Sequence, residues 1–397
     1  MRWLRFPIGR DAASWRTVAT ERTVLAAVHT MASAGHVLDA IELLEPDRRI
    51  QVVFTQAPDR FSGGVHDHLR AAGVVAIDWE QAVHTDFDLV VSADRAGMHE
   101  LGGPWLALAH GVMNNKLARA AGGMVVGLGA PWFTHFGRLL PAAVAVSHPD
   151  VVAALRHQCP EAVPVAAVTG DLCLDRLVES RRHRAAYREA LGVDDRRTLV
   201  AISSTWGPDS LLGRSPDALF DLVADLPDRY AVTMAIHPGA WHGHGSRQVL
   251  AWLGRQRRAG LRLVDPASWR GLVAAADVVI GDHGSATIYA AAAGVPVLRA
   301  GPLPPTAPGA AAAVMGAVTR AVWPGRPLGP QLRAAAATFD AAGYTRIADA
   351  VTARPGAAAG LLRARMYDLL RLPEPDTGCA PAPVGLPVPV DGDRSRL

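Results

Sequence analysis

The chain has 397 residues and a formal net charge of +3; half of its residues are hydrophobic and 19% are charged. Such a length suits two lobes of roughly 150–190 residues better than one domain, and the apolar content excludes pervasive disorder. The near balance of charge gives no basis for a nucleic-acid partner. In chain order, Thr23–His29, Ile50–Thr55, Val74–Ile77, Leu89–Ser92, Trp105–Ala109, Val144–Ser147 and Val165–Thr169 predict short buried strands. Helical stretches separate them at His36–Leu44, His66–Ala72 and His148–Gln158. Fully apolar runs alternating with helices imply a parallel sheet covered on both faces.

A charged helix, Arg181–Leu191, ends at Gly192, and the polar break after it sets the expected lobe boundary. A second series follows, with strands at Leu199–Ser203, Val232–Ile236, Leu261–Leu263, Val278–Ile280 and Pro296–Leu298. Its helices are expected at Pro216–Leu226, Gln248–Arg258, Trp269–Ala275 and Ser285–Ala293. Two such series predict an α/β protein of two Rossmann-like, doubly wound parallel-sheet lobes with a cleft between them. The expected extents are 1–192 for the N-terminal, acceptor-binding lobe and 193–350 for the C-terminal, nucleotide-donor lobe. Residues 351–372 carry a helix (Gly360–Leu372) that packs back on the first lobe, and 373–397 form a Pro-rich disordered tail.

Cys159, Cys173 and Cys379 are widely spaced and odd in number, which points to a reducing cytoplasm and to no disulfide framework. No apolar run is long enough to span a membrane. The N-terminus lacks the apolar core of a signal peptide. Trp3, Phe6 and Trp15, interleaved with Arg2, Arg5, Arg10 and Arg16, suit peripheral contact with an anionic membrane surface, or an ordinary terminal segment.

Three strand ends carry residues fit for chemistry. In WLALAHGVMNNK, a buried strand ends at His110, and Gly111 lets the backbone turn sharply. Ligands of open α/β sheets sit beyond the carboxyl ends of strands, where a neutral imidazole can take the proton of an attacking hydroxyl. Lys116, the only lysine in the chain, follows six positions later and suits a phosphate. In VTMAIHPG a second strand ends at His237, where Pro238 stops the strand. His242 and His244 lie nearby without a carboxylate or cysteine, so no metal site is expected. In DVVIGDHGSATIY a strand runs into Asp282, His283 and Gly284, and a helix opens at Ser285, with Thr287 in its first turn; a positive helix end with small residues suits phosphate. Ser203–Trp206 and Thr169–Asp171, followed by Asp175, end two further strands. Each of these has a plain structural reading as well: His110 as a capped core histidine, Ser285 as an ordinary helix start.

The order of these pieces resembles the CDP-glycerol glycerophosphotransferase family, the teichoic-acid primases and polymerases. Its usual blocks are Trp–His-Gly-x-Pro-x-Lys-Lys, Gly-x-Pro-Arg-x-Asp, Pro-Thr-Trp-Arg, Arg-Pro-His-Pro and Ser-Asp-Tyr-Ser-Ser, and the match runs from roughly 105 to 300, about half of the chain. The resemblance implies a GT-B fold. It implies His110 as general base, His237 against the donor's phosphates, and Asp282, His283, Gly284, Ser285 and Thr287 as a phosphate-holding turn. Lys116, Thr205 and Trp206 join the donor site, and Gly111, Gly170, Asp175 and Pro238 shape the cleft. The chain departs from the family at Gly207, where Arg is usual, at Ile236, where Pro is usual, and at Leu172–Leu174, which replaces Pro-Arg-x.

The function expected on this basis is metal-independent transfer of glycerol phosphate, or a related group, from a nucleotide-activated donor to an acceptor hydroxyl, lipid-linked or polymeric. No cofactor is expected beyond that co-substrate. Two alternatives stay open: a GT-B glycosyltransferase or sugar-nucleotide epimerase using a UDP- or dTDP-sugar, and a degenerate, non-catalytic nucleotide-binding protein. His110 and His237 are expected to face each other across the cleft, in a cytoplasmic protein of the cell envelope.

Overall fold

The computed structural model describes residues 3–4, 7–9, 12–113, 115–118, 123–214, 217, 223–224 and 226–390. The expected helix Pro216–Leu226 falls mostly outside these residues, as do Arg2, Arg5, Phe6 and Arg10 of the amino-terminal segment. The chain divides into two compact units: residues 1–114, 124–173 and 352–381 form the first, and 115–123, 174–351 and 382–397 the second.

Strands β1 (Arg22–Val28), β2 (Ile50–Gln56), β3 (Ala76–Ile77), β4 (Leu89–Ser92) and β5 (Trp105–Ala107) precede a small hairpin, β6 (Thr134–His135) and β7 (Arg138–Leu139). With β8 (Pro141–Val146) and β9 (Ala166–Val168), all but the hairpin form a seven-stranded sheet in the order β3-β2-β1-β4-β5-β8-β9. Every pairing in it is parallel. Residues Val24–Val28 of β1 are wholly excluded from water, as required of a central strand covered by helices on both faces. The helix Met31–Ile41 follows β1 after one turn, fixed by a reciprocal cap in which Thr30 Oγ1 accepts from Ser33 N and Ser33 Oγ accepts from Thr30 N. The helix Ala358–Leu370 sets Leu362, Met366, Tyr367 and Leu370 into this unit's core, a spacing of three to four residues that puts all four on one face.

The second unit holds β10 (Thr198–Ser204), β11 (Tyr230–Ile236), β12 (Arg262–Leu263), β13 (Val278–Gly281), β14 (Val297–Arg299) and β15 (Arg320–Ala321), all parallel, in the order β12-β11-β10-β13-β14-β15. Both lobes are therefore α/β, Rossmann-like parallel sheets packed by helices, as the alternation of apolar runs implies. The expected helix Arg181–Leu191 is two, Leu172–Arg182 and Arg184–Ala190, broken at His183. Gln248–Arg258 likewise divides into Ser246–Trp252 and Gly254–Arg258, at the Leu253–Gly254 step where glycine weakens helix continuation.

The Pro-rich stretch after Pro373, read from composition as a disordered tail, is tied down as far as Val390. Arg363 donates to Thr377, Val384 N donates to Ser180 Oγ, Tyr187 Oη donates to the Val384 carbonyl, and Val390 N donates to the Leu263 carbonyl. Proline removes donors from such a segment, so its remaining amides and carbonyls are met by side chains and by an edge strand. At the other end, Leu4 exchanges two hydrogen bonds with the Gln81 side chain, and the Trp3 ring lies 5.5 Å from that of His84. No helix among the described residues is long and apolar enough to cross a membrane.

Candidate functional site

In the second unit β10 lies between β11 and β13, with Ser204 opposite Ile236 and Ser203 opposite Gly281. Because the three strands run parallel, Thr205, His237 and Asp282 emerge side by side at one sheet edge. Asp282 is 3% exposed and organises the edge. Its Oδ2 accepts from Thr205 N (2.9 Å) and Leu211 N (2.8 Å), and its Oδ1 from Gly284 N (3.0 Å). A carboxylate so occupied by backbone donors shapes the turn, and its charge also acts on the two basic groups beside it, Lys116 and His283. Gly284 is the residue before the helix Ser285–Ala292 and caps it with no side chain. It also has to be small: a Cβ there would stand 3.1 Å from Thr205 Cβ and 3.2 Å from Asp282 Oδ1.

Over this turn stands Lys116. Its segment belongs to the second unit. There Lys116 bridges Thr306 in antiparallel fashion, Leu117 N donates to the Pro305 carbonyl, Ala307 N donates to the Asn115 carbonyl, and Asn115 Oδ1 accepts from Ala312 N. Lys116 Nζ lies 3.3 Å from His283 Nδ1. Burial pushes the Lys116 ammonium below its ordinary range, with Asp282 pulling the other way. His283 is pushed down too, first by burial and then by the Lys116 charge. Two depressed bases thus stand beside a helix amino end, where an anion would favour their charged forms.

Ser285 is half-buried in the first turn of that helix, whereas Thr287 is wholly buried with its hydroxyl packed on Gly281. The expected hydroxyl of Thr287 thus faces the unit's interior. His237 Nδ1 accepts from Gly239 N (3.0 Å), capping the helix Pro238–His244, in which Pro238 takes the first position without loss of a donor. The Trp206 ring, half exposed, lies 6.4 Å from that of His237. Lys116, Thr205, Trp206, His237 and residues 282–285 are accordingly brought to one sheet edge. Asp175 is buried on the helix Leu172–Arg182.

His110 belongs to the first unit, as does Gly170. Gly170 has φ +85, and a Cβ on it would meet the Arg354 carbonyl at 2.9 Å, so only glycine fits. His110 follows β5, and Gly111 turns the chain there with φ +155. His110 Nδ1 lies 2.8 Å from the Ala93 carbonyl and 4.0 Å from Asp94 Oδ2. A carbonyl only accepts, so Nδ1 carries the proton and Nε2 is the basic nitrogen of the neutral ring. His29, the residue after β1, is fully buried, and its Nε2 lies 2.8 Å from the Ala96 carbonyl. The rule that singled out His110 and His237, a histidine where a parallel strand ends, also identifies His29. Among the described residues no group of three or more His, Cys, Asp or Glu side chains is arranged to hold a metal ion.

These sheets and edges define the class: a two-lobed α/β protein of GT-B-like fold. Neither a protein-family model nor a curated protein matches the sequence. Among solved structures, the wall teichoic acid polymerase TagF is similar over 89% of both chains, with a TM-score of 0.57 and 13% identity. A variant of that polymerase soaked with CDPG is similar over 91% of both, at 0.57 and 12%. HepE of Anabaena in complex with UDP-glucose overlaps 88% of this chain and 99% of its own, at 0.47 and 13%. The likeness is one of fold.

Proposed function

We propose that the chain is a nucleotide-donor-dependent transferase whose second unit holds the donor's phosphates and whose first unit activates an acceptor hydroxyl at His110. The observation that carries this reading is the Lys116–His283 pair beside the helix that opens at Ser285 without a side-chain cap. The donor is of the CDP-glycerol kind. The fold likeness to TagF, a variant of which was soaked with CDPG, supports this, as does the order of motifs from His110 to Thr287.

In the reaction the acceptor hydroxyl gives its proton to His110 Nε2 as its oxygen attacks the β-phosphorus. The new oxygen–phosphorus bond replaces the phosphoanhydride bond, and CMP departs with the electron pair. Lys116, the helix end at Ser285 and His237 stabilise the charge on the departing phosphate, and this demands no metal ion. A second reading, transfer from a nucleotide sugar with attack at the anomeric carbon, is favoured by Gly207 and Ile236, which stand where the glycerophosphotransferases carry Arg and Pro.

A thermal-shift panel of CMP, CDP, CDP-glycerol, UDP and dTDP tests the proposal. Stabilisation by cytidine nucleotides alone supports glycerol-phosphate transfer. Uridine or thymidine nucleotides would move the assignment to the second reading. No stabilisation by any of them would remove the donor site and leave a non-catalytic protein.

A further inference from the structure

The loop after β4 is pinned from both of its neighbours in the sheet. β4 lies between β1 and β5. His29, which follows β1, donates to the Ala96 carbonyl, and His110, three residues after β5, donates to the Ala93 carbonyl. Trp105 Nε1 donates to Ser92 Oγ (2.9 Å), which in turn donates to the Asp94 carbonyl. Arg95 donates to the Pro131 carbonyl and lays its guanidinium over the Trp132 ring, 5.4 Å from the centroid. The backbone of residues 93–96 is thereby fixed, and the Asp94 carboxylate with it: Oδ1 accepts from Arg95 N (2.7 Å), and Oδ2 is 4.0 Å from His110 Nδ1.

Two acceptors thus meet one ring nitrogen at different ranges, and they do different work. The Ala93 carbonyl takes the Nδ1 hydrogen bond and sets the tautomer. The carboxylate stands beyond hydrogen-bond range but within ion-pair range, so it acts on the ring only once the ring is charged. Its side chain is 17% exposed, which limits screening by salt. Asp94 also bears on His29, as does Asp59, but burial outweighs both and holds that ring below its ordinary range. His29 therefore stays neutral and neither competes for the Asp94 charge nor sets a like charge against His110. Arg95, the loop's own cation, is drawn to Trp132, whose ring is 6.4 Å from that of His110.

We propose that Asp94 is the positioning residue of the His110 base: its carboxylate, held by Arg95 N and the pinned loop, pairs with the imidazolium that forms when His110 Nε2 takes a proton. The role of His110 rests on the transferase reading above; the pairing does not. The acceptor hydroxyl's proton goes to Nε2, and Nδ1 keeps its own against Ala93. Asp94 stays ionised throughout, and Nε2 returns the proton to solvent after the transfer.

The test is a histidine titration of the full-length protein by NMR, with His110 assigned as the resonance lost in His110→Gln. Asp94→Asn keeps an acceptor for Arg95 N and removes only the charge. It should lower the midpoint of the His110 titration by about one pH unit and leave the proton of the neutral ring on Nδ1. An unmoved midpoint overturns the proposal. A ring that changes tautomer overturns it too, because Asp94 would then hold the loop and not the charge. Should Asp94→Asn not fold, Asp94→Ser, which also offers the Arg95 amide an oxygen, takes its place with the same expectation.

Turnover supplies the second readout. In Asp94→Asn kcat should fall about 3- to 30-fold, the acidic limb of the pH–rate profile should move to lower pH, and the donor's KM should hold. A fall in kcat with no movement of that limb would make the residue merely structural. Failure of the transferase reading shows in the parent chain, as no turnover with any donor. Failure of the pairing shows in the titration, which needs no substrate.

Discussion

Lys116 Nζ and His283 Nδ1 are 3.3 Å apart, within hydrogen-bonding reach, so one of the two basic groups must offer a lone pair. His283 is the one whose ordinary range lies nearer neutrality, and it serves as the acceptor while the lysine donates. A phosphate placed at the pair reverses the preference, since both bases can then be cationic against it. Lys116→Met should weaken binding of the stabilising nucleotide about 10- to 100-fold, the loss of one charge-assisted bond. It should not lower the melting temperature of the free protein, because a partly desolvated ammonium goes with it. Titration calorimetry and a thermal melt read the two effects; a destabilised free protein would mean that the lysine holds the fold rather than a ligand.

The same pair fixes a pH dependence. His283 is held below its reference pKa of 6.5 in the folded chain, by burial first, and His29 is held below 6.5 by burial as well. Below 6.5 the unfolded chain takes up protons that these folded rings refuse, so stability present above that pH is lost as pH falls through and below it. Bound anion raises the His283 pKa, so nucleotide affinity should rise from about pH 8 to 6 with net proton uptake. Calorimetry in two buffers of different ionisation enthalpy measures that uptake, and His283→Gln should reduce it. Affinity independent of pH in the variant and the parent alike would dissociate His283 from the ligand.

Asp282 accepts from three backbone N–H groups on two segments and is itself buried. Asp282→Ala should therefore destabilise the second unit by about 3–5 kcal/mol, read by urea unfolding, because buried donors lose a charged partner. A loss below about 1 kcal/mol would mean that the turn holds its shape without the carboxylate.

Gly281 and Thr287 form a packed pair. A Cβ on Gly281 would run into the Thr287 hydroxyl and come within 2.9 Å of its Cγ2. Gly281→Ala should cost about 1–3 kcal/mol by overpacking, and adding Thr287→Ala should recover part of it. Thr287→Val, which removes a buried hydroxyl lacking a partner, should be neutral or stabilising. If Thr287→Val instead weakens nucleotide binding several-fold, the hydroxyl reaches the ligand after all.

The strands were legible because buried parallel strands are continuous apolar runs, and β4 at Leu89–Ser92 has the bounds its sequence predicts. The strand-end residues His110, His237 and Asp282 were legible for a related reason: a polar residue after such a run has only the sheet edge to occupy. What could not be read was which atom faces which partner. Asp282 is indistinguishable in sequence from a ligand-facing acid, and only three backbone donors make it an organiser. Thr287 sits at the right spacing for a first-turn hydroxyl, yet the small Gly281 draws it inward. Lys116 belongs to the second unit although it follows a first-unit strand by only nine residues, because its backbone is held by Pro305, Thr306 and Ala307 far along the chain. The Pro-rich end is ordered by contacts with Ser180, Tyr187 and Leu263, none of which its own composition announces.

His110 separates chemistry from binding most directly. Its Nδ1 is engaged with the Ala93 carbonyl, and its side chain is 43% exposed, so Nε2 belongs to a ring held by one bond at the edge of the first sheet. A positioned general base contributes about 10²- to 10⁴-fold to a rate. His110→Ala should lower kcat by that range and leave nucleotide stabilisation unchanged, since the donor's phosphates are assigned to the other unit. His110→Gln, which can still donate toward the loop but cannot take a proton, should be as inactive as the alanine variant if the ring is the base. Recovery of turnover in the glutamine variant would show instead that the histidine only orients Ala93 and its loop, and the proton would then need another acceptor.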